Sequence, residues 1–290
     1  MKDFLIVTDM NSDIMPDVAQ SLGVRVLPMP YIMDDVAYEN KLGDPGIDIK
    51  EFYNLIRAGK LATTIQRNPT EYEELFSNLL SEGKDVLYLC FSAALSGSYT
   101  SAKLAEKEIN AKFKENKLIV LDSECMSLGL ALLTYHTVMK KREGLSIDEV
   151  ANWVLENRKK LVHIVAVDDL FHFMRGGRVS ATAAVVGSAL GIKPILHIDD
   201  KGALVPTNKV RGRRQSLDFL VKTMEERTID PGKQVVFICH SDCEEDAKYV
   251  ANEIRKRWGN KEIYIGYIGP VIGSHTGTGT VSLFFMGNYK

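Results

Sequence analysis

The sequence lacks both a long apolar run and an excess of positive charge. None of its apolar stretches reaches the roughly 18 residues that a membrane-spanning helix needs. Its 36 Lys and Arg residues are balanced by 38 Asp and Glu residues, which leaves a formal net charge of −2 at pH 7. Such a chain has no basic surplus for the phosphate backbone of a nucleic acid. We therefore expect neither an integral membrane segment nor a nucleic-acid partner.

Cysteine is scarce as well, with four residues in a chain of 290. The stretch Cys239-His240-Ser241-Asp242-Cys243 suggests a metal site, but its spacing matches no common zinc pattern and no second cluster completes four ligands. The amino terminus does not resemble a signal peptide, because its short apolar stretch is followed at once by Asp9. We therefore expect reduced structural thiols, no metal site and a cytoplasmic location.

The first half of the chain contains short apolar segments that alternate with amphipathic ones. Two of the predicted helices open on capping sequences, Asn68-Pro69-Thr70-Glu71 and Ser146-Ile147-Asp148-Glu149. The segment Tyr31 to Pro45 is polar, contains Gly and Pro, and is predicted to be a loop. Strands that alternate with helices of this length indicate a doubly wound parallel sheet in a three-layer α/β/α domain. The predicted strands are Phe4 to Thr8, Val24 to Met29, Asp85 to Phe91 and Leu118 to Asp122.

The second half shows a different pattern, which favours a mixed sheet. Two apolar segments, Pro194 to Ile198 and Ala203 to Val210, flank Asp199-Asp200-Lys201-Gly202, whose composition is typical of a hairpin turn. A hairpin within the sheet makes some of its strands antiparallel. The length corresponds to about two domains. We therefore predict an N-terminal α/β domain over residues 1–160 and a smaller C-terminal mixed-sheet α/β domain over residues 161–290.

Small polar loops follow several predicted strands, at the edge of the sheet where doubly wound proteins bind ligands. In Ser96-Gly97-Ser98, glycine permits close backbone approach and the Ser96 hydroxyl can donate to a carboxylate or a phosphate. The same turn is equally typical of a simple helix cap. Thr63 and Thr64 offer adjacent hydroxyls for an anion, although on their own they favour an ordinary capping role.

Three further segments supply cationic or titratable groups. Arg175-Gly176-Gly177-Arg178 places two guanidiniums around a turn, which suits either an oxyanion or a braced domain interface. The Gly-rich segment Gly269 to Thr280, predicted to be a loop, offers backbone N–H groups and the imidazole of His275. A local basic cluster is either a solvated face or a docking patch for a partner; it consists of Arg211, Arg213 and Arg214.

Taken together and in this order, these segments resemble the DegV family. The resemblance covers essentially the whole chain, and Met10, Ile65 and Thr278 stand where the family pattern has Ser, Ser and Pro. No single segment is decisive, but seven of them occur in register. They are Thr8 to Asp13, Thr63 to Pro69, Leu95 to Tyr99, Leu121 to Gly129, Arg175 to Ser180, Lys193 to Leu196 and Gly273 to Gly279.

The resemblance implies two α/β domains with a long-chain fatty acid, such as palmitate or stearate, buried between them. It implies no other cofactor and no catalysis by the chain itself, because a separate fatty acid kinase phosphorylates the bound acid. The kinase is expected to dock near Arg211 and Arg213. By position, Thr64 and Ser96 match the family residues that hold the carboxylate, and Arg178 and His275 match those that surround it. Thr63 and Gly97 adjoin these residues and are expected to belong to the same site.

Three other interpretations stay open at this point. An acyl-ester hydrolase would use Ser96 as nucleophile and His275 as base, oriented by Asp9 or Asp122, although Ser96 does not lie in Gly-x-Ser-x-Gly. A kinase is disfavoured because the sequence contains no Gly-x-x-x-x-Gly-Lys-Ser/Thr loop. A lipid carrier or sensor without a kinase partner is the third. The small-residue helix predicted over Ala181 to Leu190 is either a wall of the lipid tunnel or ordinary close packing.

Overall fold

The computed structural model describes residues 2–168, 170–180, 191–228 and 230–288. Four of the described strands form a parallel sheet in the amino-terminal half: β1 (Phe4–Asp9), β2 (Arg25–Leu27), β6 (Asp85–Cys90) and β7 (Leu118–Asp122). Their order is β2-β1-β6-β7, so the strand that follows β1 lies on one side of the central pair and the strand that follows β6 lies on the other side. The point between β1 and β6 is therefore the switch point of a doubly wound sheet, where ligands of this fold class bind. The predicted parallel sheet is confirmed.

Helices cover both faces of this parallel sheet. On one face lie α3 (Pro69–Leu80) and α4 (Ser98–Lys112), whose buried side chains pack against β6 and β7. On the other face lie α1 (Pro16–Leu22), α5 (Leu128–Arg142) and α6 (Ile147–Asn157). The predicted caps are present, since Asn68 bonds with Glu71 at the start of α3 and Ser146 with Glu149 at the start of α6.

The second sheet is mixed and lies in the carboxy-terminal half. Within the described ranges its strands are β8 (Leu161–Ala166), β9 (Ile192–Ile198), β10 (Leu204–Arg211), β11 (Val236–His240), β12 (Ile263–Tyr267) and β13 (Val281–Met286), in the order β10-β9-β8-β13-β11-β12. The predicted hairpin is confirmed, because β9 and β10 are antiparallel and Asp199 N donates to Ala203 O at 2.9 Å. Helices α8 (Arg213–Arg227) and α9 (Glu244–Trp258) pack on one face.

Helix α5 joins the two halves, because it packs against strands of both sheets. Its residues from Leu128 to Thr134 are all buried, as expected for a helix that is apolar on every side. The mixed sheet begins with β8 at Leu161, and the division of the chain at residue 160 stays a prediction.

The predicted loop from Tyr31 to Pro45 is wrong over most of its length. This segment forms a hairpin of β3 (Met29–Met33) and β4 (Val36–Asn40), and β5 (Ala62–Thr64) pairs with the other edge of β3. The turn consists of Asp34 and Asp35, whose φ angles are 52° and 66°. Two successive left-handed residues match the twist of a two-residue hairpin, and such turns usually contain glycine. Its absence here explains why the hairpin was not predicted. The helix α2 (Ile49–Arg57) follows it.

The predicted Gly-rich loop from Gly269 to Thr280 is also wrong in its first part. A short helix, α10 (Pro270–Thr276), occupies it, with Pro270 in the first turn, where proline is well tolerated. A second short helix, α7 (Phe171–Arg175), precedes the Arg-Gly-Gly-Arg segment. The small-residue helix predicted over 181–190 lies outside the described residues.

Candidate functional site

A cavity of about 270 Å³ lies at the switch point of the parallel sheet. Its walls come from the loops after β1 and β6, from β5 and α10, and from the hairpin of β9 and β10. One part of the wall is apolar, with Met29, Phe91, Met126, Phe173, Leu204 and Ile272. The other carries hydrogen-bonding side chains, with Asn11, Thr64, Gln66, Ser96, Arg178 and His275. The cavity therefore suits a molecule with a polar head and an apolar body.

His275 and Thr64 meet across the two halves of the protein. Thr64 Oγ1 lies 3.2 Å from His275 Nε2, which places β5 and the last turn of α10 in direct contact. Burial, reinforced by the nearby charges of Arg178 and Arg175, lowers the pKa of His275 to about 4. The imidazole is therefore neutral at pH 7, and its Nδ1 makes no hydrogen bond to a described residue. The pair can receive or donate a hydrogen bond at the polar end of the cavity.

Arg178 supplies the positive charge of the cavity. Its Nε donates to Leu95 O at 3.0 Å and its Nη1 to Gly176 O at 2.6 Å, which leaves Nη2 without an acceptor among the described residues. None of the carboxylates in the described ranges lies within 4.0 Å of this guanidinium, and burial lowers the pKa of Arg178. A half-buried cation without a counter-ion favours an anionic ligand.

The turn before α4 contributes Ser96, Gly97 and Ser98 to the wall of the same cavity. Ser96 Oγ lies 3.0 Å from Ser98 Oγ and accepts a hydrogen bond from Ser98 N at 3.2 Å. Ser96 thus forms a hydrogen bond within its own turn and also lines the cavity. A Cβ at Gly97 would lie 2.2 Å from Gln66 Oε1, so a larger residue there would displace the Gln66 side chain from its present position. Gln66 is held in turn by donating to Ser101 Oγ at 2.9 Å.

Thr63 does not line the cavity, unlike the other residues expected at the carboxylate. Side chains alternate along β5, so Thr64 points toward the cavity and Thr63 is exposed on the opposite face, in register with Ile32. The sequence did not reveal which of the two threonines faces inward. Thr63 therefore lies outside the candidate site.

The two arginines expected at a partner surface differ in their surroundings. Arg211 is exposed at the end of β10. Arg213 is partly buried, with Nη2 2.8 Å from Asp246 Oδ2 and Nη1 3.4 Å from Asp168 Oδ1. The charge of Arg213 is therefore offset within the protein, whereas the exposed side chain of Arg211 is accessible.

The contacts of Ser96 and His275 bear on the hydrolase interpretation. Ser96 pairs with Ser98 and His275 with Thr64, so the described contacts contain no hydrogen bond between Ser96 and His275. Asp9 accepts from Tyr88 and from the amide of Asn11 instead of orienting the imidazole. A nucleophilic serine needs an adjacent base, and that base needs an orienting group. This arrangement lacks both contacts.

Asn11 and Gln66 line the cavity, yet sequence reasoning assigned neither of them to the site. Asn11 lies in the polar loop after β1, and its position just beyond a strand end was the available signal. Gln66 follows the two threonines. The described residues contain no group of three or more His, Cys, Asp or Glu side chains placed to hold a metal ion. Nor does any described helix combine the length and apolar character needed to span a membrane.

Comparison with known proteins identifies the family of this chain. The family model described as "Uncharacterised protein, DegV family" matches residues 3–288. A DegV domain-containing protein of Clostridium perfringens is 41% identical over 290 residues, covering 100% of this chain and 99% of the relative. A solved Thermotoga maritima protein with a fatty acid binding function is 27% identical, with a TM-score of 0.86 over 99% of this chain and 100% of its own. A fatty-acid-binding DegV family protein from Thermus thermophilus is 26% identical, with the same TM-score and coverage. The chain therefore belongs to the DegV family.

Proposed function

We propose that this protein binds one long-chain fatty acid and holds its carboxylate at Thr64, Ser96, Arg178 and His275. The single observation that carries the proposal is the guanidinium of Arg178, which has no carboxylate partner among the described residues, beside neutral hydroxyl and imidazole groups in one cavity. A carboxylate accepts hydrogen bonds from such groups and offsets the charge of the arginine. It requires no general base, which agrees with the absence of a hydrogen bond between Ser96 and His275 among the described contacts.

The apolar wall of the cavity supports an acyl chain as the body of the ligand. Met29, Phe91, Met126, Phe173 and Leu204 lie on this wall. Burial of each methylene contributes about 0.8 kcal/mol, so a tail of about 16 carbons gains on the order of 10 kcal/mol before the entropy of binding is subtracted. The two solved relatives described above are fatty-acid-binding proteins, which agrees with the same ligand class here. Palmitate and stearate are the expected chain lengths.

A surface depression beside the carboxylate site supports a role in presenting the ligand to a partner. It measures about 310 Å³, shares Leu95, Ser96, Gly97 and Arg178 with the cavity, and is open toward solvent. A phosphoryl donor held by a second protein can approach the carboxylate from this side while the acyl chain stays buried. We propose that the partner is a separate fatty acid kinase in the cytoplasm. We further propose that the exposed Arg211 contacts it and that Arg213 helps to hold α9 in place.

The proposal is tested by mass spectrometry of an organic extract from the folded, purified protein. We expect one fatty acid per chain, and after delipidation we expect palmitate to rebind in a fluorescence or calorimetric titration. A folded protein that yields no acyl chain and takes up no palmitate contradicts the proposal. The control is the variant Ile254→Ala, whose substitution lies in the buried core of the second half, away from the cavity. It should retain the ligand.

The presenting role needs a separate experiment. The palmitate-loaded protein is incubated with ATP, with and without a purified fatty acid kinase. We expect the acyl phosphate only when the kinase is present, and less of it with Arg211→Ala. Acyl phosphate formed without the kinase, or an acyl-ester hydrolysis that disappears in Ser96→Ala, shows that the chain is itself an enzyme. If the kinase forms no product, the chain is a carrier or sensor.

A further inference from the structure

Helix α10, which carries His275, is held at its start by a side chain from the opposite half of the protein. Asp13 Oδ1 accepts a hydrogen bond from Gly269 N at 2.9 Å, and Asp13 Oδ2 accepts one from Ser127 Oγ at 2.5 Å. Asp13 is only 6% exposed. The carboxylate thus joins the loop after β1, the start of α5 and the start of α10 at one buried point.

The surroundings of Asp13 fix this contact closely. Gly269 leaves room for the carboxylate, because a Cβ at that position would lie 2.7 Å from Asp13 Oδ1. Next to it, Tyr53 Oη donates to Ile268 O at 2.7 Å, so the amino-terminal half holds two successive residues before α10. Asp13 and Ser127 adopt φ angles of 51° and 48°, which are uncommon for residues other than glycine.

A displacement at Gly269 is passed to His275 because α10 is short and packed. His275 follows Gly269 by six residues, or about 9 Å of helix. The helix is buried on most of its length, and Gly273 lies so close to Phe52 that a Cβ there would be 2.9 Å from the ring. At the far end, the contact between His275 Nε2 and Thr64 Oγ1 is already 3.2 Å. A shift of a few tenths of an ångström at the start of α10 therefore breaks this hydrogen bond at its end.

We propose that Asp13 is a positioning residue for the ligand site: by accepting from Gly269 N, it sets the placement of α10 and thereby the distance from His275 to Thr64. This inference rests on the proposed function for the identity of the ligand, but the placement itself is a property of the ligand-free protein. Asp13 does not line the cavity, so its effect on a ligand is transmitted through α10.

The chain offers a matched pair of substitutions at this position. Asp13→Ala removes both hydrogen bonds. Asp13→Asn keeps an oxygen that can accept the hydrogen bond from Gly269 N and places its NH2 group toward Ser127. The Ser127 hydroxyl can then donate to Cys239 Sγ, which lies 3.4 Å away. The positioning role therefore predicts loss in the alanine variant and rescue in the asparagine variant. Ile254→Ala serves as the control for a general loss of stability, because Ile254 lies on the buried face of α9 and is fully buried in the core of the second half.

The first measurement is the pKa of His275 in the ligand-free proteins, followed by NMR and assigned with His275→Gln. In Asp13→Ala we expect this pKa to rise from about 4 by roughly one unit or more, because a displaced α10 admits water to the imidazole. We expect Asp13→Asn and Ile254→Ala to keep the wild-type value. An unchanged pKa in Asp13→Ala overturns the proposal, whatever happens to stability.

The second measurement compares palmitate with hexadecanol, which has the same chain without a carboxylate. Asp13→Ala should bind palmitate about tenfold more weakly or worse, while its affinity for hexadecanol stays within about twofold of wild type. Equal losses for both ligands contradict a role in placing the headgroup site. If wild type binds no palmitate while the pKa of His275 still shifts in Asp13→Ala, the proposed function fails and the positioning role stands.

Discussion

Two polar clusters lie at the switch point of the same sheet, and they differ in how their hydrogen bonds are satisfied. The carboxylate cluster consists of Asp9, Asp13, Tyr88 and Ser127. Its acids accept hydrogen bonds from Tyr88, from Ser127 and from backbone amides of both halves. The donor cluster consists of Thr64, Ser96, Arg178 and His275. It contains an arginine without a counter-ion and an imidazole whose Nδ1 has no hydrogen-bond partner, as far as the described residues show.

The difference shows how one fold separates stability from binding. Buried polar groups that satisfy one another hold a structure together, whereas a group left unpaired in a cavity keeps its interaction for a ligand. The two clusters are not independent, because Asp13 contacts the start of α10 and His275 lies in its last turn. Substitutions in the carboxylate cluster should change mainly folding stability, and those in the donor cluster mainly ligand affinity, whereas substitutions of Asp13 should change both, because Asp13 also holds the start of α10.

The largest effect is expected for the pH dependence of Asp13→Asn. Burial raises the pKa of Asp13 from 3.8 to about 7, with the charge of Asp9 as a lesser cause, although hydrogen bonds from Ser127 and Gly269 oppose the shift. Between these pH values the folded protein holds a proton that the unfolded chain releases. The contribution of Asp13 to stability is thus complete below pH 3.8 and is lost as pH rises toward 7, by about 1.4 kcal/mol per pH unit.

The test is urea unfolding of wild type and Asp13→Asn from pH 4 to 8. The difference in unfolding free energy should grow by about 4 kcal/mol in favour of the variant as pH rises, and then level off above pH 7. Asp9, Tyr53 and Cys239 face Asp13 in both proteins, so their own titrations largely cancel in the difference. Parallel curves for the two proteins would show that Asp13 is ionised at neutral pH in the folded state.

The second prediction concerns the donor cluster and the substitution Arg178→Met. Loss of a hydrogen bond between charged groups should weaken palmitate binding by roughly 1.5 to 3 kcal/mol, or about 10- to 150-fold. The unfolding free energy of the ligand-free protein should change by less than about 1 kcal/mol, because removal of a half-buried cation that has no counter-ion among the described residues offsets the lost bonds to Leu95 and Gly176. Arg25→Met, on an exposed ion pair with Glu82, is the control. If Arg178→Met lowers palmitate affinity no more than Arg25→Met does, the carboxylate binds elsewhere.

The fold was predictable from the sequence where local chemistry decides the structure. The capping boxes at Asn68 and Ser146 and the turn before Ala203 are specified by neighbouring residues, and all three are present. The hairpin at Asp34 was missed because its turn lacks glycine. Helix α10 was missed because the glycines within and beside it weigh against a helix, whereas contact of Gly273 with Phe52, far away in sequence, requires a residue without a side chain.

The site was predictable only in part, because its members come from distant segments. Thr64, Ser96 and His275 were placed together by their register with a family pattern, and the structure brings them to one cavity. The choice between Thr63 and Thr64 depends on which face of β5 is inward, which two adjacent threonines do not reveal. The contact of Asp13 with Gly269 joins residues 256 positions apart, and no local pattern encodes it.

The third prediction returns to the carboxylate cluster with Tyr88→Phe. Tyr88 Oη donates to Asp9 Oδ2 at 2.5 Å in a fully buried setting, so the substitution leaves Asp9 short of a partner. We expect a loss of about 1 to 3 kcal/mol in unfolding free energy with palmitate affinity unchanged. Tyr72→Phe is the matched control, since the neighbouring Tyr72 is equally buried and its hydroxyl makes no hydrogen bond of normal geometry to a described residue and does not contact a carboxylate. Similar losses in both variants would mean that the hydroxyl of Tyr88 contributes nothing specific.

The smallest expected effect is a change in the titration of His275 when the ligand binds. In the ligand-free protein, burial and the charges of Arg178 and Arg175 hold the pKa of His275 at about 4. A carboxylate beside the imidazole stabilises its protonated form and offsets the arginine charge, so palmitate should raise this pKa by about one unit, or about 1.4 kcal/mol. NMR titration of the loaded protein measures the shift. Hexadecanol fills the same cavity without a charge and should leave the pKa at or below its ligand-free value. If both ligands raise the pKa equally, hydration of the cavity rather than the carboxylate controls His275, and the donor cluster is not the headgroup site.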